Sequence, residues 1–171
     1  GAGVPYNQYY LNWCFLRKLR NESEFLKSPW VRPEDLHLDP VYAGEGVRFC
    51  WADTGNEGAR NYAEVMCAVD IPASVPVANA DGKVSYTAMV SRFIEGDEEF
   101  NSMDNLDFQP ETGILYVLED HDNGDIWACL PDGADRDLKT DGCIRVASVK
   151  DTSAEPTGFI FDATGKTAYV S

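Results

Sequence analysis

Three acidic residues recur at related positions of a repeated segment and have the chemistry of metal ligands. Glu34 and Asp104 occupy the same position of the repeat, and Glu155 lies two positions earlier than strict alignment requires. An offset of two keeps a side chain on the same face of an extended backbone, so all three could point one way. Hard cations such as Ca²⁺ take six to eight oxygen ligands. With Asn105 as a supplement, the pattern predicts a ring of oxygen donors; the alternative is acids that cap turns or face solvent.

A second group of oxygen donors lies in the acidic run at 118–125. Its spacing does not match the order of ligands in an EF-hand loop. Turn formation explains the later acids of the run, so Glu119, at a predicted strand end, is the better candidate ligand. Asp53 and Asn56 occupy the corresponding place in the first repeat and are interpreted in the same way.

The two histidines and the short motifs give less support for catalysis. His37 lies inside a repeated strand and is interpreted as structural, whereas His121 belongs to the acidic run. The sequence contains no G-x-S-x-G elbow, no phosphate-binding glycine-rich loop and no H-E-x-x-H motif. Serine hydrolases, nucleotide-binding proteins and zinc proteases are therefore not indicated.

An internal repeat predicts how these residues are positioned. Each copy has an acidic stretch, then an apolar-x-apolar strand, then a turn; the copies are 32–40, 102–110 and 155–163. Such self-similarity is typical of the blades of a β-propeller, in which four-stranded sheets surround a channel. The loop before the innermost strand of each blade opens towards that channel, so repeated acids would converge on one axis.

The rest of the pattern predicts two regions. Residues 1–30 contain apolar residues at helical spacing, which predicts a short helix at about 7–20 followed by a connector. Residues 31–171 are expected to form an incomplete all-β propeller of about two blades and the start of a third. The predicted strands are Leu36–Leu38, Val47–Ala52, Ala63–Val69, Ser85–Phe93, Asp107–Phe108, Ile114–Leu118, Ile126–Leu130, Ile144–Val149, Phe159–Phe161 and Thr167–Val170.

The amino-acid composition limits the classes of partner that the protein is expected to bind. The net charge of −15 disfavours nucleic acid, whose phosphates need a cationic surface. It suits divalent cations, although a plain acidic surface explains it too. No apolar run approaches the roughly 18 residues of a membrane span. Because the sequence ends inside a predicted strand, and two blades with the start of a third cannot close, we expect a segment of a longer protein, or partner chains that cover the open blade faces.

The five cysteines leave the redox state open. No C-x-x-C pair is present, and an odd number means that at least one thiol has no intramolecular partner. Cys129 and Cys143 flank a predicted hairpin and are candidates for a disulfide. The spacing alone does not decide the pairing.

Three of these segments together resemble the PhoX family of calcium- and iron-dependent alkaline phosphatases. The resemblance covers roughly residues 28–171, in the middle of the family's chain. Its motifs are Arg32-Pro33-Glu34-Asp35, Met103-Asp104-Asn105-Leu106 and Ala154-Glu155-Pro156-Thr157-Gly158-Phe159.

The resemblance implies a six-bladed propeller whose axial metals hydrolyse phosphomonoesters. Glu34, Asp104 and Glu155 would then bind Ca²⁺, and Arg32 would contact phosphate if it faces the channel. The family's location favours export to a periplasmic, extracellular or lumenal compartment. Fe³⁺ is the second expected metal, but the family's cysteine-bearing tract has no match in residues 1–31, so the iron site is incomplete in this segment.

Two other functions fit the same pattern. A non-catalytic, propeller-derived subunit of a larger assembly would use its open blade faces and N-terminal helix for contacts. A sugar-lactone or similar esterase is the third interpretation, because calcium-binding propellers also host that chemistry.

Overall fold

The computed structural model of the protein describes residues 32–70, 77–78, 84–85, 88–131 and 142–171. The chain divides into two compact units, Gly1–Trp30 and Val31–Ser171, and every described residue belongs to the second. The helix predicted at about 7–20 lies outside the described residues. Within them the regular structure is strands and one short 3₁₀ turn, so the prediction of an all-β fold is confirmed. No helix in this described part is long and apolar enough to span a membrane.

The first four-stranded sheet is an antiparallel meander with one insertion. Its strands, in spatial order, are β1 (Pro33–Leu38), β2 (Val47–Asp53), β3 (Glu64–Asp70) and β6 (Ala88–Glu95). A 3₁₀ turn at Glu57–Ala59 connects β2 to β3. Between β3 and β6, the short strands β4 (Val77–Ala78) and β5 (Val84–Ser85) pair with each other.

The second sheet repeats this meander without an insertion of strands. It contains β7 (Met103–Phe108), β8 (Leu115–Glu119), β9 (Asp125–Cys129) and β10 (Cys143–Ser148), each paired with the next. Two further strands, β11 (Phe159–Phe161) and β12 (Ala168–Val170), form an antiparallel pair of their own. Turn formation in the acidic run is confirmed: an Asn-Gly turn connects β8 and β9, and Asn123 adopts the left-handed conformation there, with φ of 60°.

The main hydrophobic core lies between the two four-stranded sheets. Alternation along each strand directs one set of apolar side chains into it, as expected for sheets that bury one face against each other. The strands β2, β3, β6, β7, β8 and β9 all contribute fully or largely buried residues. They include Cys50, Val65, Phe93, Met103, Leu106, Leu115, Val117 and Trp127.

Two disulfides cross neighbouring strands at directly paired positions. Cys50 on β2 bonds Cys67 on β3, and Cys129 on β9 bonds Cys143 on β10. The second pair is the candidate that the predicted hairpin had suggested without deciding. The first was not predicted, because the sequence does not reveal that β2 and β3 pair with these two residues opposite each other.

The acidic residues of the first two repeats lie in strands, which corrects the predicted loop position. β1 begins at Pro33 rather than Leu36, and β7 begins at Met103 rather than Asp107. Each strand continues past its acid because a β-bulge interrupts the pairing with its neighbour without ending the strand. The acid of the third repeat, Glu155, does lie in a loop.

Candidate functional site

The bulges of β1 and β7 show that the repeat in the sequence is also a repeat in the backbone. Just before each bulge a residue other than glycine has positive φ, 66° at Arg32 and 51° at Ser102. The carbonyl oxygen of Arg32 accepts a hydrogen bond from the Thr54 N–H, and that of Ser102 accepts one from the Asp120 N–H. The register of each strand shifts at the same point, so equivalent side chains are presented in equivalent ways.

Four carboxylates converge where these strands begin; we call Glu34, Asp104, Asp120 and Glu155 the acidic cluster. The evidence is clearest at Asp104. Its burial, together with the negative charges of Asp120, Glu34 and Glu155, raises the pKa of Asp104 from 3.8 to about 6, and Arg32 opposes this rise. Glu34, Glu155 and a fourth acid, Asp120, are therefore all close enough to Asp104 to influence its ionisation.

Arg32 is the cation of this cluster. Its Nη2 donates to Asp120 Oδ2 at 2.6 Å, and its Nε lies 3.3 Å from Glu34 Oε1. The hydrogen bond to Asp120 raises the pKa of Arg32 further above its usual value. The guanidinium therefore binds two carboxylates of the cluster, while 56% of its side chain is exposed.

Asp120 was not predicted as a site residue. It directly follows Glu119, which sequence reasoning preferred, and it lies just beyond β8. Burial, a hydrogen bond to Asp120 and the charges of Asp120 and Asp122 raise the pKa of Glu155. Successive side chains along a strand point to opposite faces, so only one of the neighbours Glu119 and Asp120 could face the cluster. This alternation is the feature of the sequence that could have identified Asp120.

Glu119 is a buried residue whose side chain holds two backbone segments in place. It is 1% exposed, and its two carboxylate oxygens accept hydrogen bonds from the N–H groups of Asn101 at 3.1 Å and Asp125 at 2.9 Å. His121 Nε2 lies 3.3 Å from one of these oxygens. Burial raises the pKa of Glu119, while the two N–H donors and the nearby His121 oppose the rise. Its oxygens bind the backbone on both sides of β8.

The two remaining predicted ligands, Asp53 and Asn56, have local structural roles at the end of β2 and at the turn that follows it. Asp53 is buried at the end of β2, where it pairs with Pro33 just as Glu119 pairs with Met103. Asn56 caps the 3₁₀ turn, with its side-chain oxygen 3.3 Å from the Ala59 N–H. These contacts account for local structure.

Asn105 and other side chains join the first strands of successive sheets. The Asn105 Oδ1 accepts a hydrogen bond from the Gly158 N–H at 2.8 Å. Asp35 on β1 accepts from the Leu106 N–H on β7 at 3.2 Å, and Asp107 on β7 accepts from the Phe161 N–H on β11 at 2.8 Å. These bonds run from each first strand to the next one.

His37 bridges two of these connecting carboxylates. Its Nδ1 lies 2.9 Å from Asp107 Oδ1, and its Nε2 lies 3.4 Å from Asp35 Oδ2. Burial alone would lower the pKa of His37, but hydrogen bonds and charge interactions with Asp107 and Asp35 outweigh it and raise the pKa to about 9. The imidazolium therefore connects β1 to β7, in agreement with the structural role predicted for it.

The acidic cluster offers only oxygen donors, the ligand type that Ca²⁺ and Mg²⁺ prefer. Among residues 32–70, 88–131 and 142–171, no three histidine, cysteine or acidic side chains are already arranged to hold a metal ion. A scan against protein-family models and a search of curated proteins each found no match to this chain.

Proposed function

We propose that this chain supplies two blades and the beginning of a third to a β-propeller whose acidic cluster binds Ca²⁺ and whose activity is PhoX-type hydrolysis of phosphomonoesters. The observation behind the proposal is that the charges of Glu34 and Glu155 both act on Asp104, the three acids being related by the repeat. They come from three different sheets or the loops that lead into them.

The arrangement of the sheets supports the propeller. Both four-stranded sheets are meanders, and the first strands β1, β7 and β11 are linked in series by side-chain to main-chain hydrogen bonds. In a propeller the innermost strands surround the axis in this way. Closure takes about four to eight blades, so the proposal requires further blades, from the same polypeptide or from partner chains.

The donor set of the cluster fits a hard divalent cation. Four carboxylates with one arginine leave an excess of negative charge, and the raised pKa of Asp104 reflects its burial together with that repulsion. Arg32 already acts as an internal counter-ion between Glu34 and Asp120. A cation would relieve the repulsion more effectively, because it brings two charges and accepts several oxygens at once.

Iron is not part of the proposal for this segment. The resemblance implies a cysteine thiolate ligand, but the four described cysteines, Cys50, Cys67, Cys129 and Cys143, are all in disulfides. None of the four can supply a thiolate. The donor chemistry of the cluster therefore supports Ca²⁺, and the described residues offer Fe³⁺ no ligand of the implied kind.

The roles of the chain's own residues follow from their positions. When bound, Ca²⁺ would supply a positive charge that attracts the phosphate group and stabilises the negative charge that develops on it during hydrolysis. Glu34, Asp104, Asp120 and Glu155 would hold the cation. Arg32, released from its carboxylate partners, would be available to bind a phosphate oxygen.

The test is an activity assay of the complete protein with p-nitrophenyl phosphate, combined with measurement of bound calcium. The proposal expects calcium-dependent hydrolysis, with both activity and bound calcium lost in Glu34→Gln. Lys166→Gln, at an exposed turn, is the matched control and should retain both. Hydrolysis that is unaffected by Glu34→Gln would remove the assigned role of the cluster.

A second candidate function is a non-catalytic subunit of a larger assembly. Large apolar side chains are exposed on β10, β11 and β12, among them Ile144, Ile160 and Tyr169. This favours coverage by further blades or by partner chains in either function. An assembled protein that binds no calcium and hydrolyses no phosphomonoester would establish the second candidate over the first.

The disulfides support an oxidising location. Such bonds persist in secreted, periplasmic or lumenal proteins and are rare in reducing compartments. We therefore propose that the protein is exported, as the resemblance also implies. Thiol quantification of the native protein tests this, since export predicts that the cysteines of both pairs are oxidised.

A further inference from the structure

The two disulfides lie at different places in their sheets. Cys50–Cys67 joins β2 to β3, which have β1 and β6 on either side, and both of its cysteines are completely buried. Cys129–Cys143 joins β9 to β10, the strand at the end of the second sheet. Cys129 is completely buried, whereas Cys143 is partly exposed. Of the two bonds, the second is therefore the one that a reagent in solution can reach.

Cys143 faces an interface that the described residues already form. It packs against the main core between the two four-stranded sheets. Ile144, the next residue of β10, is directed to the opposite face, because successive side chains of a strand alternate. Ile144 pairs with Ala128, which in turn pairs with Tyr116. Tyr116 stacks on Phe159 of β11, so strands that extend the β11–β12 sheet would lie on the face turned away from Cys143.

The outer strand β10 is held to its sheet by few buried contacts. After Cys143, all of its residues as far as Ser148 are exposed. Arg145 Nη1 lies 2.8 Å from Asp125 Oδ2, but 60% of the arginine side chain is exposed, and exposed ion pairs add little stability. A β-bulge between Arg145 and Ala147 interrupts the pairing with β9. The disulfide is therefore the strongest link between β10 and β9.

We propose that Cys129–Cys143 is a site of thiol–disulfide exchange with a protein dithiol, and that its reduction loosens β10 while Cys50–Cys67 stays oxidised. Exposed disulfides are the labile and regulatory ones, whereas buried structural bonds resist reduction. A dithiol fits better than a single thiol, because its second sulfur completes the exchange within the same complex. Since β10 pairs with β9 alone among the described strands, such a protein can approach its outer edge.

The exchange is balanced in two steps. A thiolate of the dithiol attacks Sγ of Cys143; a new S–S bond forms there, the bond to Cys129 breaks, and Cys129 leaves as a thiolate that takes up a proton. The second thiol of the dithiol then loses its proton and attacks the mixed disulfide, so that Cys143 leaves as a thiolate and is protonated. The Cys129–Cys143 bond has gained two electrons and two protons, and the dithiol has been oxidised to a disulfide.

The hydrogen bonds around β10 limit the stretch that reduction loosens. The N–H of Val149, directly after β10, donates to the Gly124 carbonyl oxygen at 3.1 Å, and the N–H of Asn123 donates to the Ala154 carbonyl oxygen at 2.9 Å. The first bond requires β10 to lie beside β9, so it is lost when β10 moves away. The second holds the chain beyond that point. Reduction is therefore expected to loosen residues 143–149 and not the loop that follows them.

A trapping experiment on the native, oxidised protein tests the exchange site. The probe is a thioredoxin whose second active-site cysteine is replaced by serine, so that the mixed disulfide of the first step accumulates. The inference expects this adduct at Cys143, identified by mass spectrometry, in at least about tenfold excess over adducts at Cys50 and Cys67. The double variant Cys129→Ala, Cys143→Ala is the matched control and should show no adduct above the level at Cys50 and Cys67.

Hydrogen exchange measures the effect on β10. After reduction by the unmodified thioredoxin under native conditions, we expect amide exchange in residues 143–149 to accelerate at least about tenfold, with exchange in β2 and β3 unchanged. The double variant should show the same fast exchange without any reduction.

Three results would overturn the inference. These are adducts at Cys50 or Cys67 as abundant as the adduct at Cys143, the absence of any adduct with the native protein, and slow exchange in residues 143–149 after the bond has been reduced. Neither measurement depends on calcium or on hydrolysis. The exchange site can therefore be established or rejected whatever the outcome of the calcium test.

Discussion

His37 on β1 and Asp107 on β7 form an ion pair across two sheets, with 2.9 Å between Nδ1 and Oδ1. The same carboxylate accepts the Phe161 N–H through its other oxygen. Three first strands are therefore connected through one aspartate. The imidazolium is the only member of this link that loses its charge near neutral to basic pH.

His37 should make stability depend on pH. Its pKa is raised in the folded protein from 6.5 to about 9, so its contribution is complete below pH 6.5 and is lost as the pH rises through about 9. We expect His37→Gln to lower the free energy of unfolding by about 2 kcal/mol at pH 6, with a much smaller loss at pH 10. Urea unfolding at both pH values measures this. An equal loss at the two pH values would show that His37 acts by packing alone.

Asp104 should have the opposite pH dependence. Its pKa is raised to about 6, so ionising it in the folded protein costs stability, and the cost grows as the pH rises from about 4 through 6. We expect Asp104→Asn to stabilise the protein by about 1 kcal/mol at pH 7.5 and to have little effect at pH 4. Thermal unfolding in the presence of a calcium chelator measures it. If Asp104→Asn destabilises the protein at pH 7.5, the carboxylates of the cluster do not repel one another as proposed.

The neighbouring acids Glu119 and Asp120 should behave differently. Glu119→Gln replaces an oxygen acceptor with a donor facing a backbone N–H, which should cost about 1–3 kcal/mol of stability and leave calcium affinity unchanged. Asp120→Asn should weaken calcium binding with a small effect on stability. Urea unfolding and calorimetric titration of both variants make the comparison. If the Glu119 variant folds but loses calcium affinity, Glu119 is itself a calcium ligand, contrary to this prediction.

The two disulfides should differ in accessibility. Cys50 and Cys67 are completely buried, whereas Cys143 lies on the outer strand β10 and is partly exposed. Under limited reduction and alkylation, we expect Cys129 and Cys143 to be labelled first, as mass spectrometry would show. Replacing either pair by alanine should cost about 3 kcal/mol, since each closes a loop of similar length. Simultaneous labelling of both pairs would mean that global unfolding, not burial, limits reduction.

The sequence predicted the repeated framework well because the repeat contains its own turns and alternating strands. Phe159–Phe161 matches β11 in full. The starts of β1 and β7 were missed, since a bulge has no marker in Pro33 or Met103. The N-terminal helix, the metals and the enzymatic activity remain predictions.

The candidate site was predicted only in part, for a reason of geometry. The repeat predicted that Glu34 and Asp104, at equivalent positions, and Glu155, two positions earlier, point the same way, and in the structure the charges of Glu34 and Glu155 act on Asp104. Asp120 belongs to no repeated acid, as its counterpart in the first sheet is Thr54. Nor could the sequence show that Arg32 binds carboxylates, because that contact depends on how the bulge directs its side chain.

Calorimetric titration of the purified full-length chain with CaCl₂ at pH 7.5 tests the central claim most directly. The account predicts saturable binding, weakened at least about tenfold in Asp104→Asn and in Glu155→Gln, and reduced below pH 6 as protons compete for the carboxylates. Lys166→Gln should bind as the unmodified chain does. The absence of binding, or equal affinity in the unmodified chain and the two cluster variants, would contradict the assignment of the acidic cluster as a cation site.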